Sequence, residues 1–143
     1  MIKKILALSF ALFSAIAAFS QESKFTTEEI AVSTMLNGTL YKPEKASKKT
    51  DLVILIAGSG PTDRDGNQPG ASSNSLKFLA EGLAKKEYAV YSFDKRVIAE
   101  IKSGNLDESK SNFDIQIQDV KDIVSSFKAK KQFRKIIIAG HSE

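Results

Sequence analysis

"DLVILIAG", Asp51 to Gly58, decides the fold. Leu52 to Ala57 is apolar at every position, with no polar residue at period two. A strand that faced water on one side would alternate, so this one is expected to be covered on both faces, as in a parallel sheet sandwiched by helices. "KIIIAG", Lys135 to Gly140, repeats the pattern, and "YAVYSFD", Tyr88 to Asp94, is a third strand candidate between them.

Helical stripes fill the gaps. Leu76, Leu79, Ala80, Leu83 and Ala84 recur at spacings of three and four, which predicts an amphipathic helix over 74–86. Phe113, Ile117, Val120, Val124 and Phe127 predict a longer one over 113–131, with Asn112 as its N-cap, Asp114 at the positive end of its dipole and Lys128, Lys130 and Lys131 at the negative end. Before the first apolar strand, Ile30–Thr34 and Thr39–Lys42 read as two strands, with Asn37-Gly38 as a hairpin turn between them. The fold class is therefore α/β: an antiparallel hairpin lead-in, then a βαβαβ parallel sheet with helices on its faces.

Bulk properties set the frame. The chain has 143 residues, enough for one domain. It opens with Lys3 and Lys4 before roughly 15 apolar residues and the small-residue pattern Ala18-Phe19-Ser20, the layout of a secretory signal peptide. Residues 1–20 are expected to be removed, 21–27 to be flexible and 28–143 to be the domain, with a periplasmic or extracellular destination and no membrane attachment after cleavage. The net charge of +4 falls to +2 without the two signal-peptide lysines, and no basic block argues for nucleic acid. The chain contains no cysteine, which excludes disulfides and zinc-thiolate sites.

In sheets of this class, sites gather at the carboxyl ends of the strands. Three segments fall there: the loop after Ala57, the loop after Phe93, and Gly140-His141-Ser142-Glu143. A serine on a sharp turn between strand and helix projects its hydroxyl above the sheet rim, the logic of the G-x-S-x-G elbow. Glycines directly after a buried strand, as in "AGSGPTDRDGNQPG" (Ala57–Gly70), free backbone N–H groups for an oxygen that becomes negative in a transition state.

On these motifs the chain resembles the first half of an α/β-hydrolase, and specifically exported bacterial esterases and acyl hydrolases. Ala57-Gly58-Ser59-Gly60 is similar to the family's oxyanion loop, Phe93-Asp94-Lys95-Arg96 to the loop after its fourth strand, and Gly140-His141-Ser142-Glu143 to its nucleophile elbow. Val97 stands where many members have glycine. The resemblance covers residues 28–143. It implies Ser142 as nucleophile, the N–H of Ser59 (or of Gly60) as the first oxyanion donor, and the N–H of Glu143 as the second. It also implies a small acyl ester or thioester substrate attacked through an acyl-serine intermediate, with no metal or cofactor. The acid and base of such a triad follow the serine in chain order, so the 143 residues are expected to be a fragment, inactive alone. His141, the only histidine, is expected to be structural, because a base must reach the serine oxygen from a partner loop.

Other readings weigh against this one. Asp63, Arg64 and Asp65 fail the calcium-loop pattern, since Gly66 is fourth from Asp63 rather than sixth. Gly58-x-Gly60 with Asp94 one strand later suggests a nucleotide site, but Asp63 replaces the third glycine and about ten loop residues separate the motif from its helix. A binding or scaffold protein that keeps the fold without the chemistry is the third alternative. Asp63 or Asp65 is expected to pair with Arg96 across adjacent strand ends.

Overall fold

The computed structural model describes residues 24–107 and 112–142, so the proposed signal peptide and Glu143 lie outside the described residues. Five strands form one mixed sheet: β1 (Phe25–Ala31), β2 (Asn37–Pro43), β3 (Leu52–Ile56), β4 (Ala89–Phe93) and β5 (Ile136–Gly140). Their order across the sheet is β1-β2-β4-β3-β5. The β1–β2 and β2–β4 pairs are antiparallel, whereas β3 runs parallel to both β4 and β5, with Ile54 opposite Tyr91 on one side and Ile138 on the other. This is the expected α/β architecture, with β3 at the centre of the parallel part.

The unbroken apolar run of β3 serves both faces. Leu52 and Ile54 point into a cluster with Tyr91, Phe93, Ile123 and Phe127, while Val53 and Leu55 join Tyr41, Val90, Ala80 and Ala84 on the opposite face. The second face is covered by α1 (Ser75–Lys85), which presents Leu76, Ala80 and Ala84 inward. The first is covered by α3 (Phe113–Lys130), whose buried positions are Asp119, Ile123 and Phe127. Phe127 meets the Tyr91 ring edge-on at a centroid distance of 4.9 Å. Asn112 caps α3 as its side-chain oxygen accepts from the Ile115 N–H at 2.9 Å. At the opposite ends of the strands, Asp51 receives both Nε and Nη2 of Arg134 at 2.7 Å, tying the start of β3 to the segment entering β5.

Four expectations need correction. Asn37-Gly38 is not the hairpin turn. It opens β2, and the connection is residues 32–36, closed by the Val32 N–H on the Leu36 carbonyl at 2.8 Å. Leu36 is buried and belongs in the core. Gly38 lies so close to β4 that a Cβ there would sit 2.5 Å from both the Ser92 carbonyl and the Tyr91 ring. Its glycine thus serves strand packing. Residues 25–27, expected to be flexible, are the start of β1, paired with 41–43. The segment after β4 is not a loop. It forms α2 (Arg96–Ser103), with Val97 in its first turn and Gly104 closing it in the left-handed conformation. Lastly, β5 is apolar without being deeply buried: Ile138 is 54% exposed.

Candidate functional site

The carboxyl ends of β4, β3 and β5 bring the three sequence motifs side by side. After β5 the chain adds one more ladder bond, from the His141 N–H to the Ile56 carbonyl at 3.1 Å, and then turns. Ser142 follows with φ of 73°, in the left-handed region. Such a backbone costs a non-glycine residue about 1–2 kcal/mol, and serine has no special tolerance for it.

Gly58 is the neighbour that makes room. It is buried, and a Cβ added to it would lie 2.8 Å from the His141 carbonyl and 3.0 Å from the Ser142 Cβ. Only a residue without a side chain lets the loop after β3 and the turn after β5 approach this closely. The two segments predicted to meet do meet, and Ser142 lies outside any helix.

The loop itself has a distinct polarity. Its carbonyls are all engaged. Gly58 O accepts from Lys95 Nζ at 3.0 Å. Ser59 O accepts from Gln68 Nε2 at 2.8 Å and from Thr62 Oγ1 at 3.1 Å. Gly60 O accepts from the Thr62 N–H at 2.9 Å, a tight turn centred on Pro61. The N–H groups of Gly58, Ser59 and Gly60, in contrast, donate to no group among the described residues. Ser59 and Gly60 are exposed. Three consecutive amides, starting at the glycine that meets Ser142, therefore have no acceptor among the described residues. Glu143, the other expected donor, lies outside the described residues.

Behind the loop stands an ion cluster that the sequence reading missed. Arg64 binds Asp94 through its backbone N–H at 2.9 Å, through Nε at 3.2 Å and through Nη2 at 3.0 Å. Its Nη1 reaches Thr39 Oγ1 at 3.1 Å and also Glu29. Ser92 Oγ donates to the Arg64 carbonyl at 2.5 Å. One side chain thus ties the loop to β1, β2 and the residue that follows β4. Burial alone would raise the Asp94 pKa, but the Arg64 hydrogen bonds and charge outweigh it and hold the carboxyl below its ordinary value. Asp65 moves the other way, raised by burial and by the neighbouring Asp63 charge.

This replaces the expected pairing of Asp63 or Asp65 with Arg96. Asp63 instead folds its own loop, accepting from the N–H groups of Asp65 at 2.9 Å and Asn67 at 2.8 Å. Arg96 opens α2 and turns to Asp119 on α3. The same cluster weakens the nucleotide reading, because Asp94 is taken by Arg64 and α1 starts only at Ser75. Arg64 was within reach of inspection, since a single arginine between two aspartates after a buried strand needs a partner. Which carboxylate it would find depends on strand order.

A cavity of about 300 Å³ opens on the α3 face of the loop. Ile56, Pro61, Phe93, Val97, Ile115 and Val120 give it an apolar wall, and Gly60 lines it as well, whereas Gly58, Ser59 and Ser142 do not. Lys95 and the Arg96–Asp119 pair supply its polar rim.

His141 is exposed, and no hydrogen bond joins it to Ser142. Its Nδ1 leans toward Gly58, 3.2 Å from where a Cβ would be. No other histidine exists in the chain.

No family model matches the chain, and no curated protein does. Among solved structures, one titled "The Atomic Resolution Structure of a Novel Bacterial Esterase" is similar over 62% of this chain and 35% of that one, at 15% identity and a TM-score of 0.24.

Proposed function

We propose that this chain carries the nucleophile and the oxyanion loop of an exported serine hydrolase of the α/β-hydrolase type, acting on a small acyl ester or thioester. The observation that carries the reading is the contact between Gly58 and a strained Ser142, with unclaimed amides at Ser59 and Gly60 alongside. Ser142 Oγ attacks the acyl carbon and its proton passes to a base. The carbonyl oxygen becomes an oxyanion on the Ser59 or Gly60 N–H. The bond to the alcohol or thiol breaks, and water later releases the acyl group. Donors fixed before the charge develops are worth roughly 3–4 kcal/mol each in comparable enzymes.

The chain's one histidine, His141, directly precedes the serine, and no hydrogen bond joins the two. Removing the histidine from a comparable hydrolase costs on the order of 10⁶ in turnover, so turnover of p-nitrophenyl butyrate by the 143-residue chain is expected to be too slow to measure, with only the oxyanion contribution left, about 10³–10⁴ over water in the same comparison.

That residue of catalysis gives the test. 4-Nitrophenyl ethyl methylphosphonate places a P=O oxygen where the oxyanion would form. Serine Oγ bonds to phosphorus, the P–O bond to 4-nitrophenolate breaks, and the serine proton leaves to buffer. The expected product is a single adduct on Ser142 by peptide mass spectrometry, absent from Ser142→Ala. Labelling of other serines at the same rate would sink the assignment and favour a fold that has kept no chemistry.

A further inference from the structure

Resting on the reading of Ser142 as nucleophile, we infer that Lys95 is a positioning residue: its ammonium fixes the Gly58–Ser59 peptide so that the Ser59 amide faces the serine. The argument begins with strand order. β3 lies between β4 and β5. Lys95 leaves the end of β4, Ser142 the end of β5, and Gly58 the end of β3 between them. Lys95 Nζ holds the Gly58 carbonyl from the β4 side at 3.0 Å. In a planar trans peptide the C=O and N–H point in opposite directions. The Ser59 N–H is therefore directed away from β4 and toward the β5 side, where the Ser142 Cβ lies within contact of the Gly58 position.

Two further features fit this role. The next peptide is held in the same manner, with Gln68 Nε2 and Thr62 Oγ1 on the Ser59 carbonyl, so two consecutive planes are pinned by side chains. Gln68 Nε2 also reaches Thr62 Oγ1 at 2.7 Å, which joins the two pegs into one brace. A glycine-flanked loop without such pegs would be free to flip its peptides and turn the amides outward. A cationic donor on the carbonyl also polarises the peptide and strengthens its N–H as a donor to a developing negative oxygen.

Lys95 acts through the peptide and touches no reacting atom, which separates it from a substrate-binding lysine. Phosphonate labelling of the 143-residue chain resolves the two through the inactivation rate at saturation and the concentration giving half of it. With Lys95→Met, the saturating rate of Ser142 labelling is expected to fall at least about tenfold, with the half-saturating concentration little changed. Lys95→Arg is expected to recover most of the rate. A Lys95→Met rate within twofold of wild type, or a change confined to half-saturation, overturns the proposal while leaving Ser142 as nucleophile. A wild-type chain unlabelled at Ser142 removes the nucleophile and the positioning role together. A measurement on the unaltered chain guards against a variant that does not fold: a scalar coupling across the hydrogen bond between ¹⁵Nζ of Lys95 and ¹³C′ of Gly58. Its detection supports the brace, and its absence overturns it.

Discussion

The loop after β3 and the turn after β5 meet at one point and are built in opposite ways. The loop is held from behind by side chains: Arg64 on Asp94, Glu29 and Thr39, Gln68 on Ser59, Lys95 on Gly58. The turn has one backbone bond from His141 to Ile56, a serine at positive φ, and the shape of Gly58 to lean on. On the proposed reading, donors for an oxyanion must not move when charge develops, which the side-chain anchoring of the loop would serve, and a nucleophile must stand clear of neighbours that would bind its hydroxyl, which a short turn would serve.

The largest effect should come from taking away the anchor of the loop. Asp94 and Arg64 have side chains only 9% and 17% exposed, so Asp94→Ala leaves a guanidinium largely out of water with Glu29 as its remaining acid. Breaking such a pair costs about 3 kcal/mol, read as a drop in urea midpoint. The pH dependence has a fixed sign. A carboxyl whose folded pKa is depressed contributes stability above its unfolded value, about 3.9 for Asp, and loses it as pH falls through the folded value. Asp94 and Glu29 are both lowered, while Asp65 is raised and works against them. Wild-type stability should therefore decline below about pH 4, and Asp94→Asn, weaker at neutrality, should show a flatter acid limb. An equally steep limb in the variant would show that the acid sensitivity belongs elsewhere.

Next comes the seam between the two regions. In Gly58→Val the new side chain meets the His141 carbonyl and the Ser142 Cβ, and a backbone atom at 2.8 Å cannot rotate away. Overpacking costs about 2 kcal/mol, unless the turn swings off. In either event the amides and the serine part, and Ser142 phosphonylation should fall more than stability does. Labelling retained at the wild-type rate would mean that the contact is incidental.

Much of this was readable in advance, for one reason: the informative residues are those whose role is local or periodic. An apolar run without alternation placed β3 between two layers, and stripes at three and four placed α1 and α3. Asn112 announced its helix end by chemistry alone. What failed depends on partners distant in sequence. Asn37-Gly38 carries a strong turn signal, yet burial of Leu36 and the press of Gly38 on Tyr91 draw it into a strand. α2 buries no residue completely, so it leaves no core stripe to detect. Arg64 finds its partners on β1, β2 and β4, which come together only after the sheet assembles. The serine and its loop were legible as motifs. The pegs that aim the amides, Lys95 and Gln68, were not, because a lysine at a strand end and a glutamine in a loop have no pattern of their own.

The smallest expected effect concerns His141, and it is the one that tests the asymmetry most directly. A base would couple the turn to the chemistry, since replacing it would slow every reaction of Ser142. An exposed histidine that only carries the peptide between β5 and the serine would not. His141→Ala keeps the backbone bond to Ile56, because that bond uses the main-chain N–H. Exposed side chains away from caps and networks alter stability by no more than about 0.5 kcal/mol, and the phosphonate rate should stay within the scatter of the wild type. A rate falling by an order of magnitude or more, with an unchanged melt, would make the imidazole part of the machinery. The turn after β5 would then hold two functional groups instead of one, and the division of labour between the two regions would have to be redrawn.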